Sequence, residues 1–349
     1  MKIAIFNIPH LSLNRGGEKW IIEIGSYLSK KHDVRVITTD AKKNYDLNNL
    51  NFEYIVIKQK KRFKLFYNIS EIKDYLKDVD ITYAFYYGFG TQIDILKYSK
   101  KVIFGHHNQL NLLVQKVYYF LLENIVARKI KGAYHHFLTE YRANIYRKRG
   151  FKKIFIVPNF IKLDKYRLKE KSYDKFKIIC PGVVNIEKGI DTLVKVAENL
   201  KKYKDIEFYI TGNKPLYNNL PENIKYLGLL SEEEYINTIS DKNLMFSPTR
   251  QEAFPFSVLE NLAVGNPVVI SNLPDVMSAF GKSESIYYGK LNNINDYING
   301  ILKYYQIWKN NKDKYEELSK KSREIANKYD SNIILPKIEE MFKKVYKSS

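Results

Sequence analysis

Seven residues separate Glu252 from Glu260, and between them the chain has the makings of a helix start. Carboxylates accept hydrogen bonds from hydroxyls, and sugars and ribose are rich in hydroxyls. A helix N-terminus offers free N–H groups and the positive end of a dipole, which attract phosphate. The N–H groups in question belong to Phe256, Ser257 and Val258, since Pro255 has none to give. A phosphate flanked by two polyols describes a nucleotide-sugar.

The surrounding residues must position these groups. Met245 and Phe246 close an apolar run, and Ser247 to Pro255 is turn chemistry with two prolines and polar caps. Val258, Leu259, Leu262 and Ala263 form a helical stripe, Gly265 stops it, and 267–270 begins a buried strand. Upstream, an apolar run over 176–180 leads through Gly182 to Lys188 and Gly189, with an amphipathic helix predicted from Asp191 to Leu200. The chain opens on a strand over 2–6, then Gly16, Gly17 and Glu18, a helix from Trp20 to Leu28 and a strand over 34–38. Strand, glycine turn, helix and strand open a doubly wound sheet, and the glycines permit close backbone approach at a helix start. A further strand, 101–105, runs into His106 and His107. In a parallel sheet the C-terminal strand ends line the ligand crevice, where a histidine can reach a hydroxyl or phosphate.

The two glutamates at this spacing, Phe254 soon after the first, and Ala263, Gly265 and Pro267 with two valines after it resemble the family 4 retaining glycosyltransferases. The resemblance covers nearly the whole chain and is most specific from Pro158 to Ser271. It implies a GT-B fold, an α/β architecture of two doubly wound, Rossmann-like parallel-sheet domains facing a cleft. An acceptor-side domain is expected over 1–165, with a crossover helix at about 332–349, and a nucleotide-sugar-binding domain over 170–330. A polar, charged linker is expected over 162–175. By the same resemblance Glu252 faces the donor sugar, Glu260 holds the ribose, and Lys188 neutralises the diphosphate with the Phe256, Ser257 and Val258 N–H groups. Phe254, Gly16 and Gly17 join the donor site, the base lies near Gly228 and Leu229, and His106 is the better aligned strand-end histidine. Three departures stand out. Gly16, Gly17 and Glu18 lack the family's spacer, Phe160 replaces a glycine, and Val183 stands where the family has an arginine, with Arg250 or Arg15 as replacements. The implied reaction is metal-independent hexosyl transfer from a nucleotide-diphosphate-sugar to a hydroxyl of a glycan or lipid-linked acceptor, with retention, in cell-surface glycan synthesis. The donor is a substrate, and no cofactor is expected.

Metal ligation finds little support in spacing. Asp78 and Asp80 end a predicted helix and open a strand, a usual place for aspartate. His135 and His136 precede Thr139, a predicted N-cap, and do not have zinc spacing with the other histidines. The single cysteine, Cys180, sits in an apolar run and can form no intramolecular disulfide, which fits a reducing cytosol.

The length, 349 residues, suggests two domains. No signal peptide and no apolar run of about 18 residues is visible. The expected location is the cytoplasm, peripheral on the inner face of the membrane. The net charge is +20, and residues 1–150 carry 26 basic against 13 acidic side chains. Such a face implies an anionic partner, here an anionic membrane surface or a lipid-linked diphosphate. The basic, aromatic stretch 58–67 and the predicted helix 110–131 could serve it, although the helix reads better as packed on the sheet than as interfacial. The alternative, a basic nucleic-acid-binding protein or a non-catalytic relative of the same fold, leaves Glu252 and Glu260 unexplained, and no nucleic acid partner is expected.

Overall fold

The computed structural model describes residues 1–7, 16–39, 50–57, 60–63, 66–68, 71–85, 91–107, 125–217 and 219–348, with backbone only at 60–63, 66–68, 91 and 92. Arg15, the basic side chains of 58–67 and most of the predicted helix 110–131 lie outside the described residues. The chain divides into two compact units, Met1–Asn159 with Ile334–Ser349, and Phe160–Ile333.

Among the described residues, the first unit is built on a seven-stranded sheet whose neighbouring strands all run parallel. Its strands are β1 (Lys2–Phe6), β2 (Asp33–Thr39), β3 (Glu53–Ile57), β6 (Ile81–Phe85), β7 (Val102–His106), β8 (Tyr134–Phe137) and β9 (Ile154–Ile156), in the order β3-β2-β1-β6-β7-β8-β9. A separate antiparallel hairpin joins β4 (Lys60–Phe63) to β5 (Phe66–Asn68). The helices are α1 (Gly16–Leu28), α2 (Ile72–Leu76), α3 (Thr91–Tyr98) and α4 (Glu140–Lys148), and residues 125–130 are also helical. Thr139 caps α4, its hydroxyl accepting from the Arg142 N–H at 3.3 Å. Asp80 accepts from the Lys2 backbone N–H at 2.8 Å, while Asp78 pairs with Lys2 and Arg35, each at 3.2 Å. Both aspartates thus secure the N-terminal ends of β1 and β6, away from the crevice. Among the described residues no group of three His, Cys, Asp or Glu side chains is arranged to hold a metal ion.

The second unit repeats the plan with β10 (Phe176–Pro181), β11 (Ile206–Thr211), β12 (Ile224–Tyr226), β13 (Leu244–Ser247), β14 (Val268–Ser271) and β15 (Ile286–Gly289). The order is β12-β11-β10-β13-β14-β15, again with parallel neighbours. Its helices are α5 (Ile190–Leu200), α6 (Glu232–Ser240), α7 (Phe256–Ala263), α8 (Pro274–Phe280), α9 (Ile294–Asn310) and α10 (Lys312–Asn327), and α11 (Ser331–Lys347) ends the chain largely within the first unit. Strands covered on both faces read as continuous apolar runs. Accordingly Phe176, Ile178, Ile179 and Cys180 of β10 are fully buried, and burial pushes the Cys180 thiol up. Tyr297, Tyr304, Tyr305, Trp308 and Tyr315 complete an aromatic core, with hydroxyls provided for: Tyr297 meets Ser271 at 2.7 Å. The charged stretch after Asn159 packs onto this unit, burying Phe160, Ile161, Leu163, Tyr166 and Lys171. Phe160, where the resemblance calls for glycine, is a core side chain, and so is Val183.

In both units strand order reverses beside the first strand, between β1 and β6 and between β10 and β13. Ligands of open α/β sheets bind outside the C-terminal strand ends at such a switch point. The loops there carry Lys188 after β10 and Glu252 after β13.

Candidate active site

In the second unit the Lys188 ammonium and the Glu252 carboxylate form a direct ion pair, both side chains partly open to solvent. The two loops that carry them are fastened together. The Arg250 N–H donates to the Glu187 carbonyl at 2.9 Å, and its guanidinium donates to the Ile186 carbonyl. The same guanidinium grips Asp191 through two parallel bonds of 2.8 and 2.7 Å. Such bidentate geometry adds direction to attraction, and with Arg250 beside it the Asp191 carboxyl stays below its ordinary range. Arg250 therefore does not replace the cation absent at Val183. It is committed to Asp191 and fixes the loop that presents Lys188.

Gly189 lies where those loops approach each other closely. It caps α5 at φ 84°, and a Cβ there would stand 2.2 Å from the Pro248 carbonyl oxygen. Gly189→Ala is expected to destabilise the second unit by about 2 kcal/mol or more, combining left-handed strain with the clash. Urea unfolding in a Trp20→Phe background, followed by Trp308 fluorescence, measures this, and an unchanged midpoint would contradict it.

Glu252 leads directly into α7. Pro255 is the N-cap residue and no side chain caps the helix, so the first-turn N–H groups of Phe256, Ser257 and Val258 remain open to an anion. At the other end the Arg323 guanidinium donates to the Ala263 carbonyl at 2.6 Å, a cation matching the negative end of the dipole. Glu260 is buried on α7, and the Tyr166 hydroxyl donates to its Oε1 at 3.3 Å. Burial and the Glu260 charge push the Tyr166 phenol far up, so it remains a donor. The hydroxyl of half-buried Tyr235, also near Glu260, is pushed up in the same way.

A polar chain braces α7 from behind. Lys171 donates to Asn266 Oδ1 at 2.7 Å, Asn266 donates to Asn261 Oδ1 at 2.9 Å, and Asn261 donates to the Ser257 carbonyl at 2.9 Å. Burial draws the Lys171 amine down to about 7. Nothing in the local sequence marks Lys171 or Arg323, because their partners lie 60 or more residues away.

Gly228 takes φ 76°, its carbonyl accepting from Gly212 at 2.8 Å, and Leu229 beside it is 74% exposed. The Ser231 capping box then starts α6. Phe254 differs from expectation. Its ring is buried against Phe280 and Tyr329, at 5.1 and 5.4 Å between centroids, so it anchors the Glu252 loop and does not face a ligand.

In the first unit Gly16 and Gly17 form the first turn of α1, not a preceding loop. Phe85 at the end of β6 lies 3.5 Å from where a Cβ on Gly17 would stand. Stacked on Phe85, at 4.3 Å between centroids, is His107. His106 departs from expectation. It is 5% exposed, stacked on Phe137 at 4.2 Å, and its Nε2 meets His135 Nδ1 at 3.1 Å. Burial, with His135 next, lowers its pKa well below the ordinary value. Successive residues of a strand point to opposite faces, so His106 enters the core on the side of Tyr146 while half-buried His107 turns toward Trp20. A sealed imidazole cannot touch a sugar, and the strand-end histidine available to one is His107.

Residues 164–325 match the family described as glycosyl transferases group 1. An uncharacterized glycosyltransferase of Haemophilus influenzae is 29% identical over 161 residues, covering 44% of each protein. The match therefore spans less than half the length of that relative. An O-antigen biosynthesis glycosyltransferase of Escherichia coli, WclY, is 24% identical over 295 residues, 74% of this chain and 77% of WclY. Among solved structures, a glycosyltransferase from Rickettsia africae superposes with a TM-score of 0.80 at 18% identity, over 99% of both chains. Anabaena HepE in complex with UDP gives 0.78 at 13% identity, over 99% of this chain and 100% of that one. These likenesses identify the GT-B fold. The matched region fills most of the second unit, and over it the chain is similar to the group 1 glycosyltransferases.

Proposed function

We propose that the protein is a retaining glycosyltransferase that moves a sugar from a nucleotide-diphosphate-sugar to a hydroxyl of a glycan or lipid-linked acceptor in cell-surface glycan synthesis. The observation that carries this reading is the Lys188–Glu252 pair beside the uncapped N-terminus of α7, with Glu260, which accepts from Tyr166, farther along the same helix. Glu252 accepts hydrogen bonds from donor sugar hydroxyls, and Glu260 accepts from the ribose. As the bond between the anomeric carbon and the phosphate breaks, negative charge grows on the leaving diphosphate. Lys188 and the Phe256–Val258 N–H groups are already in place to stabilise it. These fixed donors do the work of a divalent cation, so transfer runs without one. The O-antigen role in the name of WclY and the UDP bound to HepE support a nucleotide-sugar donor and a surface-glycan product. Among the described residues no helix is long and apolar enough to cross a membrane.

Incubation with a panel of nucleotide-sugars, with and without glycan or lipid-linked acceptors and in the presence of EDTA, tests the reading. One donor should release nucleoside diphosphate, and Glu252→Ala should abolish the release. If no donor is either turned over or bound in calorimetry, the reading is wrong.

A further inference from the structure

On the face of β7 that carries His107, three side chains form one continuous hydrogen-bonded chain. His107 Nε2 lies 2.6 Å from the Tyr83 hydroxyl, the same hydroxyl lies 2.6 Å from His136 Nδ1, and His136 Nε2 lies 2.8 Å from the Val157 carbonyl. The last contact fixes every proton. A carbonyl only accepts, so His136 must donate from Nε2. His136 is buried, and burial holds its pKa at about 4, so the ring is neutral and its Nδ1 carries a lone pair. The Tyr83 hydroxyl must therefore donate to that nitrogen, and burial raises the phenol so that it keeps its proton. Having one proton, Tyr83 can only accept from His107. His107 therefore bears its proton on Nε2. Burial holds this ring neutral too, with His136 adding to the effect, which leaves a lone pair on Nδ1.

The surroundings are built for this chain. Gly105 sits on β7 where a Cβ would lie 2.1 Å from the Tyr83 oxygen, so any other residue would displace the hydroxyl. The His107 ring packs on Trp20 at 4.5 Å and on Phe85 at 4.3 Å, which fixes its plane. It stands at the C-terminal end of the sheet, next to the Phe85 that borders the start of α1.

We propose that Tyr83 and His136 are positioning residues that hold His107 as the Nε2–H tautomer, so that Nδ1 accepts a hydrogen bond from a sugar hydroxyl of the substrate. The proposal rests on the glycosyl-transfer reading for its substrate, but the tautomer is a property of the free protein. An imidazole that could exchange tautomers would present an N–H to that hydroxyl part of the time and lose the contact.

The test combines spectroscopy with kinetics on the full chain. Histidine labelled with ¹⁵N gives two-bond proton–nitrogen correlations at pH 7.5, and His107→Gln assigns the His107 signals. The expected spectrum shows His107 Nε2 protonated and Nδ1 unprotonated. Tyr83→Phe should mix the two tautomers and lower kcat about 10-fold or more while the donor KM changes little. A wild-type His107 protonated on Nδ1, or on both nitrogens, overturns the proposal without any variant having to fold. So does a folded Tyr83→Phe protein with an unchanged tautomer and unchanged kcat. A wild-type protein with the expected tautomer but no turnover of any sugar donor overturns the substrate assignment and separates that failure from a failure of the relay.

Discussion

Lys188→Ala is expected to bind a nucleoside diphosphate about 100-fold more weakly than the parent, whereas Glu252→Ala should bind it at least as tightly and yet turn over a sugar donor about 100- to 1000-fold more slowly. The opposite signs follow from the ion pair. In the free protein Lys188 is shared with Glu252. A diphosphate must compete with the carboxylate for the ammonium, so removing Glu252 frees the cation for the ligand. Removing Lys188 deletes the contact and also leaves an uncompensated carboxylate beside the phosphate. Hydrogen bonds to charged groups contribute roughly 1.5–3 kcal/mol, which sets the size of the first effect. The fall in turnover has another origin. Glu252 is assigned to the sugar hydroxyls, and groups positioned around the reacting centre are worth about 100- to 1000-fold in kcat. Calorimetry with UDP, GDP and other nucleoside diphosphates measures binding, and nucleotide release measures turnover. Equal weakening of diphosphate binding in both variants would show that the pair does not lie at the phosphate.

Acid should unfold the first unit well before its carboxylates titrate. His135 and His136 are held at about 4 by burial, against an ordinary value of 6.5. Each donates from Nε2 to a carbonyl, Ile130 or Val157, a bond that favours the charged ring, but burial outweighs it. A histidine lowered in the folded state binds fewer protons there than in the unfolded chain between those two values. Stability is therefore complete above pH 6.5 and falls as the pH drops toward 4. At pH 5 the loss is about 2 kcal/mol per histidine, or roughly 4 kcal/mol for the pair, a large share of a stability of about 5–15 kcal/mol. His106 and His107, lowered still further by burial, act in the same direction. The buried Glu339 carboxyl acts in a different window. Burial pushes it up, but Lys343 and Tyr27 outweigh that and hold it at about 2, so its contribution is lost only below its ordinary value of 4.5. The chain has two tryptophans, Trp20 in the first unit and Trp308 in the second. Urea unfolding of a Trp308→Phe protein at pH 7.5, 6 and 5 thus reports the first unit alone. A midpoint that stays level from pH 7.5 to 5 would refute the prediction.

What the sequence by itself determined was whatever is encoded over a few residues. Strand and helix periods predicted the opening of a doubly wound sheet, because secondary-structure period and turn chemistry are local, while the second such sheet was implied by the family resemblance. The cap at Thr139 was readable for the same reason, since donor and acceptor lie three residues apart. The spacing of Glu252, Gly265 and Pro267 carried the family resemblance, and with it the expected fold. Tertiary structure decided which side chains remain available. Both faces of a parallel sheet are covered, so the burial pattern of β7 carries no alternation to say whether His106 or His107 turns inward. Only the packing of Phe137 and Tyr146 on one face and Trp20 on the other settles it. Phe254 was drawn into the core by Phe280 and Tyr329, and Arg250 was claimed by Asp191, 59 residues away. Burial and pairing are set by contacts between distant segments, and such contacts leave no trace in the spacing of neighbours.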